Sequence, residues 1–124
     1  MGSGKGITAL MGGNRFIDNL PELEDSYTLT PAGFFGKKGR GRSHVRIIES
    51  SNPGMTAYNF FMLATKNWVV RRRDGDAIIC QMRDNQIISY REASSSDGSP
   101  VVEFRMKDDF VKIVRDQKIH FVKG

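Results

Sequence analysis

The second half of the chain alternates. From Val101 to Lys107, the apolar Val102, Phe104 and Met106 interleave with the charged Glu103, Arg105 and Lys107. A period of two belongs to a strand with one buried and one wet face. Ala77–Met82 and Ile87–Arg91 have strand composition, and Arg83-Asp84-Asn85-Gln86 between them reads as a hairpin turn. Ser94–Pro100 is a second loop, Asp108-Asp109 begins a further connection, and Gln117–Val122 closes the chain as a last strand. His44–Ser50 reads as an earlier strand, which Ser51-Asn52-Pro53-Gly54 ends.

Ahead of the alternating half the period changes. The spacing predicts a helix from near Met55 to about Trp68, with Tyr58, Phe61, Met62 and Thr65 as its buried stripe. A short helix over Phe16–Leu20 is expected to stop at Pro21. The pattern therefore predicts an α+β fold, with N-terminal helical segments packed on a roughly four-stranded antiparallel sheet. A chain of 124 residues is long enough to bury one real core. Residues 15–124 are read as one domain, and residues 1–14, rich in Gly and Ser and without a period, as a flexible lead-in.

Composition removes several classes. Cys80 is the lone cysteine, so no internal disulfide holds the fold, and its apolar strand marks it as inert core. One Cys and two His cannot build zinc fingers. No apolar run approaches the roughly 18 residues of a membrane span, and the N-terminus lacks the apolar region of a secretory signal. The chain is expected to need no cofactor and no metal.

Charge points to a polyanionic partner. Nineteen Lys and Arg against fourteen Asp and Glu give a net charge of +5. The charges are segregated: Asp18, Glu22, Glu24 and Asp25 fall in one stretch without a base, and Lys37, Lys38, Arg40, Arg42 and Arg46 in one without an acid. Arg71-Arg72-Arg73 forms a smaller cluster. Gly36, Gly39 and Gly41 punctuate the basic segment, giving a loop whose backbone can approach phosphates closely. No GxxxxGK[ST] string occurs, so the loop is not a nucleotide-binding P-loop. Lys37, Lys38, Arg40 and Arg42 are the expected substrate-phosphate contacts.

Alternation also assigns faces. Lys118 and His120 are expected to point away from the helix together, as are Ser89 with Arg91, and His44 with Arg46. His44 and His120 are the chain's two histidines, the side chains whose ordinary pKa lies near neutrality. Metal-free RNA cleavage needs a base for the 2′-hydroxyl proton, an acid for the leaving 5′-oxygen and a cation for the phosphorane. His44 and His120, with Lys118, Arg46 or Arg91, would supply all three. The plainer alternative is a histidine that only makes a hydrogen bond at a strand end. A metal-dependent DNase built on Asp97, Glu103 and Arg105, loosely resembling a D…ExK arrangement, is a second enzyme reading. A non-catalytic nucleic-acid-binding module is a third.

Four strings carry a family resemblance: GFFGKKG from Gly33, HVRIIESSNP from His44, ISYREASSSDGSPVVEF from Ile88 and QKIHFV from Gln117. They resemble the C-terminal nuclease domains of bacterial polymorphic toxins of the LXG, Rhs and contact-dependent inhibition types. Within these, the chain is similar to the barnase/EndoU/colicin/RelE-like ribonuclease superfamily. The resemblance implies an endoribonuclease with His44 and His120 as the acid–base pair and Lys118 as the catalytic lysine. Ser96 or Tyr90 would be the hydroxyl that positions substrate. It implies RNA, tRNA among the candidates, as substrate, and a cognate acidic immunity protein as partner. It also implies a longer secreted toxin that delivers these residues into the cytoplasm of a target bacterium.

Overall fold

The computed structural model describes residues 12–106 and 116–124. The predicted connection at Asp108-Asp109 and the side chain of Lys107 lie outside the described residues. The class is α+β, and the described residues form two helices on one face of a seven-stranded mixed sheet. Among the described residues no helix is long and apolar enough to cross a membrane.

Helix α1 spans Phe16–Ser26, and Pro21 lies inside it rather than ending it. Proline removes one intrahelical hydrogen bond, but Phe16, Asn19, Leu20 and Leu23 lie on both sides of it and are buried. That burial outweighs the lost bond. Helix α2 spans Pro53–Ala64, with proline at its first position and the Asn52 side chain accepting from the Met55 amide at 3.2 Å. Its buried stripe is Ala57, Phe60, Phe61 and Ala64, while Tyr58 and Met62 are exposed. The predicted stripe was thus rotated by about one residue, because Phe60 rather than Tyr58 enters the core. Phe60 meets Phe35, Phe104 and Phe121 at ring separations of 5.3, 5.9 and 5.5 Å.

The strands are β1 (Lys37–Lys38), β2 (Val45–Ser50), β3 (Val70–Asp74), β4 (Ala77–Gln81), β5 (Ile87–Arg91), β6 (Val101–Arg105) and β7 (Asp116–Lys123). Their order is β1-β2-β7-β6-β5-β4-β3. Strands β3 to β7 form an antiparallel meander, and β2 pairs with β7 in parallel. The sheet exceeds the four strands predicted because Arg71-Arg72-Arg73, too polar to read as a strand, pairs along β4. A local pattern also gives no sign of the long-range β2–β7 pairing.

Register fixes the faces. Ile119 and Phe121 enter the core, so Lys118 and His120 point to the face without helices, as alternation predicts. Ser89, Arg91, Glu103 and Arg105 share that face. Strand β2 departs from expectation: Arg46 stands opposite Ile119 on the helix face, and Val45 and Ile47 stand opposite Lys118 and His120. The run Val45-Arg46-Ile47-Ile48 has apolar residues at both parities, so alternation alone could not choose.

Candidate active site

The predicted site residues do not all meet. Arg40, Ser96, Asp97, Lys118 and His120 converge on one cleft of about 590 Å³, floored by Val45 and Ile47. It lies on the helix-free face, where β7 meets β2 and the glycine-rich basic loop. Gly36 makes this approach possible: its φ is +70°, and a side chain there would strike the Ile47 carbonyl.

The β5–β6 loop shapes the cleft wall. Gly98, at φ +77°, lets Ser94–Ser99 fold back, with the Ser94 amide donating to the Ser99 carbonyl at 2.7 Å. One oxygen of Asp97 accepts from Ser94 Oγ at 2.6 Å, Ser99 Oγ at 2.6 Å and the Ser99 amide at 3.0 Å. These donors, the Ser94 hydroxyl foremost, hold the Asp97 carboxyl well below the usual aspartate range. His120 lies under this loop and is only 6% exposed, so it is on the predicted face but not open as predicted. Alternation sets the direction of a side chain; it does not say that a loop will cover it.

His120 Nδ1 lies 2.9 Å from Ser99 Oγ and 3.5 Å from Asp97 Oδ1. Proton counting then assigns its tautomer. An ionised Asp97 has no proton to give, so the 2.6 Å contact requires Ser99 to donate its single hydroxyl proton to Asp97. Ser99 can only accept from His120, and Nδ1 must therefore carry hydrogen. Nε2 has no hydrogen-bond partner among the described residues and is not sealed from solvent. The imidazole is anchored at one nitrogen and free at the other.

His44 is elsewhere. It precedes β2, its carbonyl accepts from the Lys118 amide at 2.9 Å, and its side chain lines a separate cleft of about 570 Å³ with Glu103, Arg105 and Asp116. His120 stands opposite Ile47, three residues further along β2. The two histidines line different clefts and do not converge.

Arg46 is buried on the helix face, away from the His120 cleft. Its guanidinium donates to the carbonyls of Phe35, Gly36 and Ser43 and stacks on the Phe34 ring at 4.3 Å. Those carbonyls compensate its burial and tie the basic loop to β2. Tyr90 is also core, stacked on Phe61 with ring centroids 5.5 Å apart, and burial pushes its phenol up. Arg91 is exposed and pairs with Asp76 at 3.2 Å. In the basic loop, Lys37 pairs with Glu49 at 3.0 Å, and Lys38 folds back to donate to the Gly41 carbonyl at 2.9 Å. Arg40 and Arg42 are exposed and make no ion pair among the described residues. Cys80 is buried, and burial pushes its thiol up, as expected for inert core.

Neither strand alternation nor the family resemblance points to Ser99, and the D…ExK likeness gives Asp97 only a metal-ligand role. Ser-Ser-Ser-Asp-Gly-Ser does carry a signal, because an aspartate accepting from the amide two residues on is a common local turn. Among the described residues, no three His, Cys, Asp or Glu side chains are grouped to hold a metal ion. Comparison with protein-family models, curated proteins and solved structures finds no match for this chain.

Proposed function

We propose that this domain is an antibacterial toxin ribonuclease that cleaves RNA by acid–base transesterification in the His120 cleft. The observation that supports it is the anchored imidazole: Nδ1–H is committed to Ser99, Nε2 has no partner among the described residues, and His120 lines a cleft with Lys118 and Arg40. Nε2 takes the proton of a substrate 2′-hydroxyl, the 2′-oxygen attacks phosphorus, and the P–O5′ bond breaks. The Lys118 ammonium, rather than His44, gives a proton to the departing 5′-oxygen, and solvent restores both groups. Arg40 and Lys118 neutralise charge on the phosphorane oxygens. Ser96, at the cleft wall, donates to a phosphate or ribose oxygen. The product is a 2′,3′-cyclic phosphate.

This route needs the 2′-hydroxyl and so selects RNA over DNA. A metal-dependent DNase is less well supported, because the inner oxygen of Asp97 is occupied by three donors. The toxin setting, with delivery into a target bacterium and an acidic immunity protein, rests on the quoted strings. Incubating the purified domain with total RNA and with plasmid DNA, each with and without EDTA, tests the reading. RNA degradation that survives EDTA supports it; cutting of DNA alone, or complete loss in EDTA, refutes it.

A further inference from the structure

The end of the sheet away from the cleft carries a different surface. Strand β3 is the last in the order, and all five of its residues are exposed. The opposite end is closed by β1, a strand of two residues, so among the described residues β3 is the longer unpaired edge. Arg71 and Arg73 make no ion pair among the described residues, and Arg72 reaches only Asp74, at 3.9 Å. Beside them, Trp68 and Val70 are each 43% exposed, and Trp68, Ile78 and the three arginines line a notch of about 300 Å³.

Charged side chains on an edge ordinarily keep sheets apart. Two copies of this chain paired about Arg72 would oppose Arg72 to itself and Arg71 to Arg73, and like charges directly opposite disfavour the pairing. The edge therefore repels its own kind while offering, among the described residues, backbone groups without a strand partner, three guanidiniums and a half-exposed indole. We propose that β3 receives an acidic extended strand from a partner protein as an eighth strand of the sheet. The partner's carboxylates would lie over Arg71–Arg73, and an apolar side chain would fill the notch against Trp68 and Ile78. This surface lies four strands from His120, on the order of 19 Å at the usual strand spacing, and the bound partner leaves the cleft open.

The test uses a synthetic peptide of alternating Glu and Val, with a single-stranded oligouridylate as a second probe. The expected result is peptide binding at low salt that slows hydrogen exchange of the β3 amides. Arg71→Glu/Arg73→Glu should weaken it at least tenfold, and a Lys-Val peptide should restore binding to that variant. Absence of binding, or protection away from β3, overturns the proposal. Oligouridylate binding that the same double variant abolishes, without slowed exchange in β3, assigns the notch to nucleic acid and also overturns it. RNA cleavage is not the readout, so failure here and failure of the ribonuclease reading are distinguishable.

Discussion

The two histidines look alike in sequence and differ in structure. Each stands beside a strand residue and near a base, His44 before Arg46 and His120 after Lys118. His120 lies mid-strand beneath a folded loop, with one ring nitrogen bonded to Ser99 and Asp97 close behind. His44 lies in the turn before β2 and faces a different cleft. The difference comes from the loop: only one histidine has a serine–aspartate turn placed over it. A useful acid or base must be fixed in orientation as well as chemically able.

The largest effect should come from separating the two. His120→Asn keeps an N–H near the Nδ1 position for Ser99 and deletes Nε2, so RNA cleavage should fall about a hundredfold or more with the fold retained. His44→Ala should change the rate by no more than about threefold. Equal losses at both positions, measured by single-turnover cleavage, would restore the two-histidine mechanism. His120→Ala is a poorer probe, because deleting a buried ring removes Ser99's donor and costs stability of about 1–3 kcal/mol.

The next effect concerns the anchor. Ser99→Ala removes the acceptor for Nδ1–H and should lower the rate roughly tenfold, with Ser99→Thr recovering most of it. Nitrogen NMR of the neutral ring separates orientation from damage. The wild type should show the Nδ1–H form, and Ser99→Ala should lose that preference. An Nε2–H ring in the wild type would break the proton count.

A smaller effect distinguishes members of the basic loop. Neutralising Arg40 and Arg42 should reduce the log–log salt slope of RNA binding by about 1.5 units, near 0.7 for each single-strand phosphate contact. Neutralising Lys37 and Lys38, which already have partners within the protein, should change it less. Equal changes for the two pairs would mean that the internal contacts open on binding.

The smallest effect is on acid stability. Asp97 has a lowered pKa in the folded state, so its stabilising contribution is fully present above the ordinary aspartate pKa of about 3.9 and is lost as pH falls through the folded value. Denaturant unfolding should therefore show a shallower pH dependence for Asp97→Asn below about pH 4. An unchanged slope would mean that the Ser94 and Ser99 bonds do not persist in solution.

Much of this arrangement was legible in the sequence. The alternation of Val101–Arg105 and Ile119–Phe121 gave those strands their faces, and Lys118 and His120 followed. What was missed depends on chain segments meeting from a distance. Arg46 was misplaced because β2 is apolar at both parities, and the carbonyls that satisfy its guanidinium belong to Phe35, Gly36 and Ser43. The resemblance implies a positioning hydroxyl at Tyr90, yet Phe61 from α2 claims its ring for the core. The pairing of β2 with β7 brings residues about seventy positions apart into register, and no local period encodes that.

In the proposed reaction a substrate 2′-hydroxyl is the nucleophile in the His120 cleft. Its most direct test is an oligoribonucleotide and its 2′-O-methyl counterpart, incubated with the wild-type domain in EDTA, with the product ends mapped. The expected result is cleavage of the ribonucleotide with 2′,3′-cyclic phosphate ends, and an intact 2′-O-methyl strand. Cleavage of both strands, or 5′-phosphate ends, would contradict it.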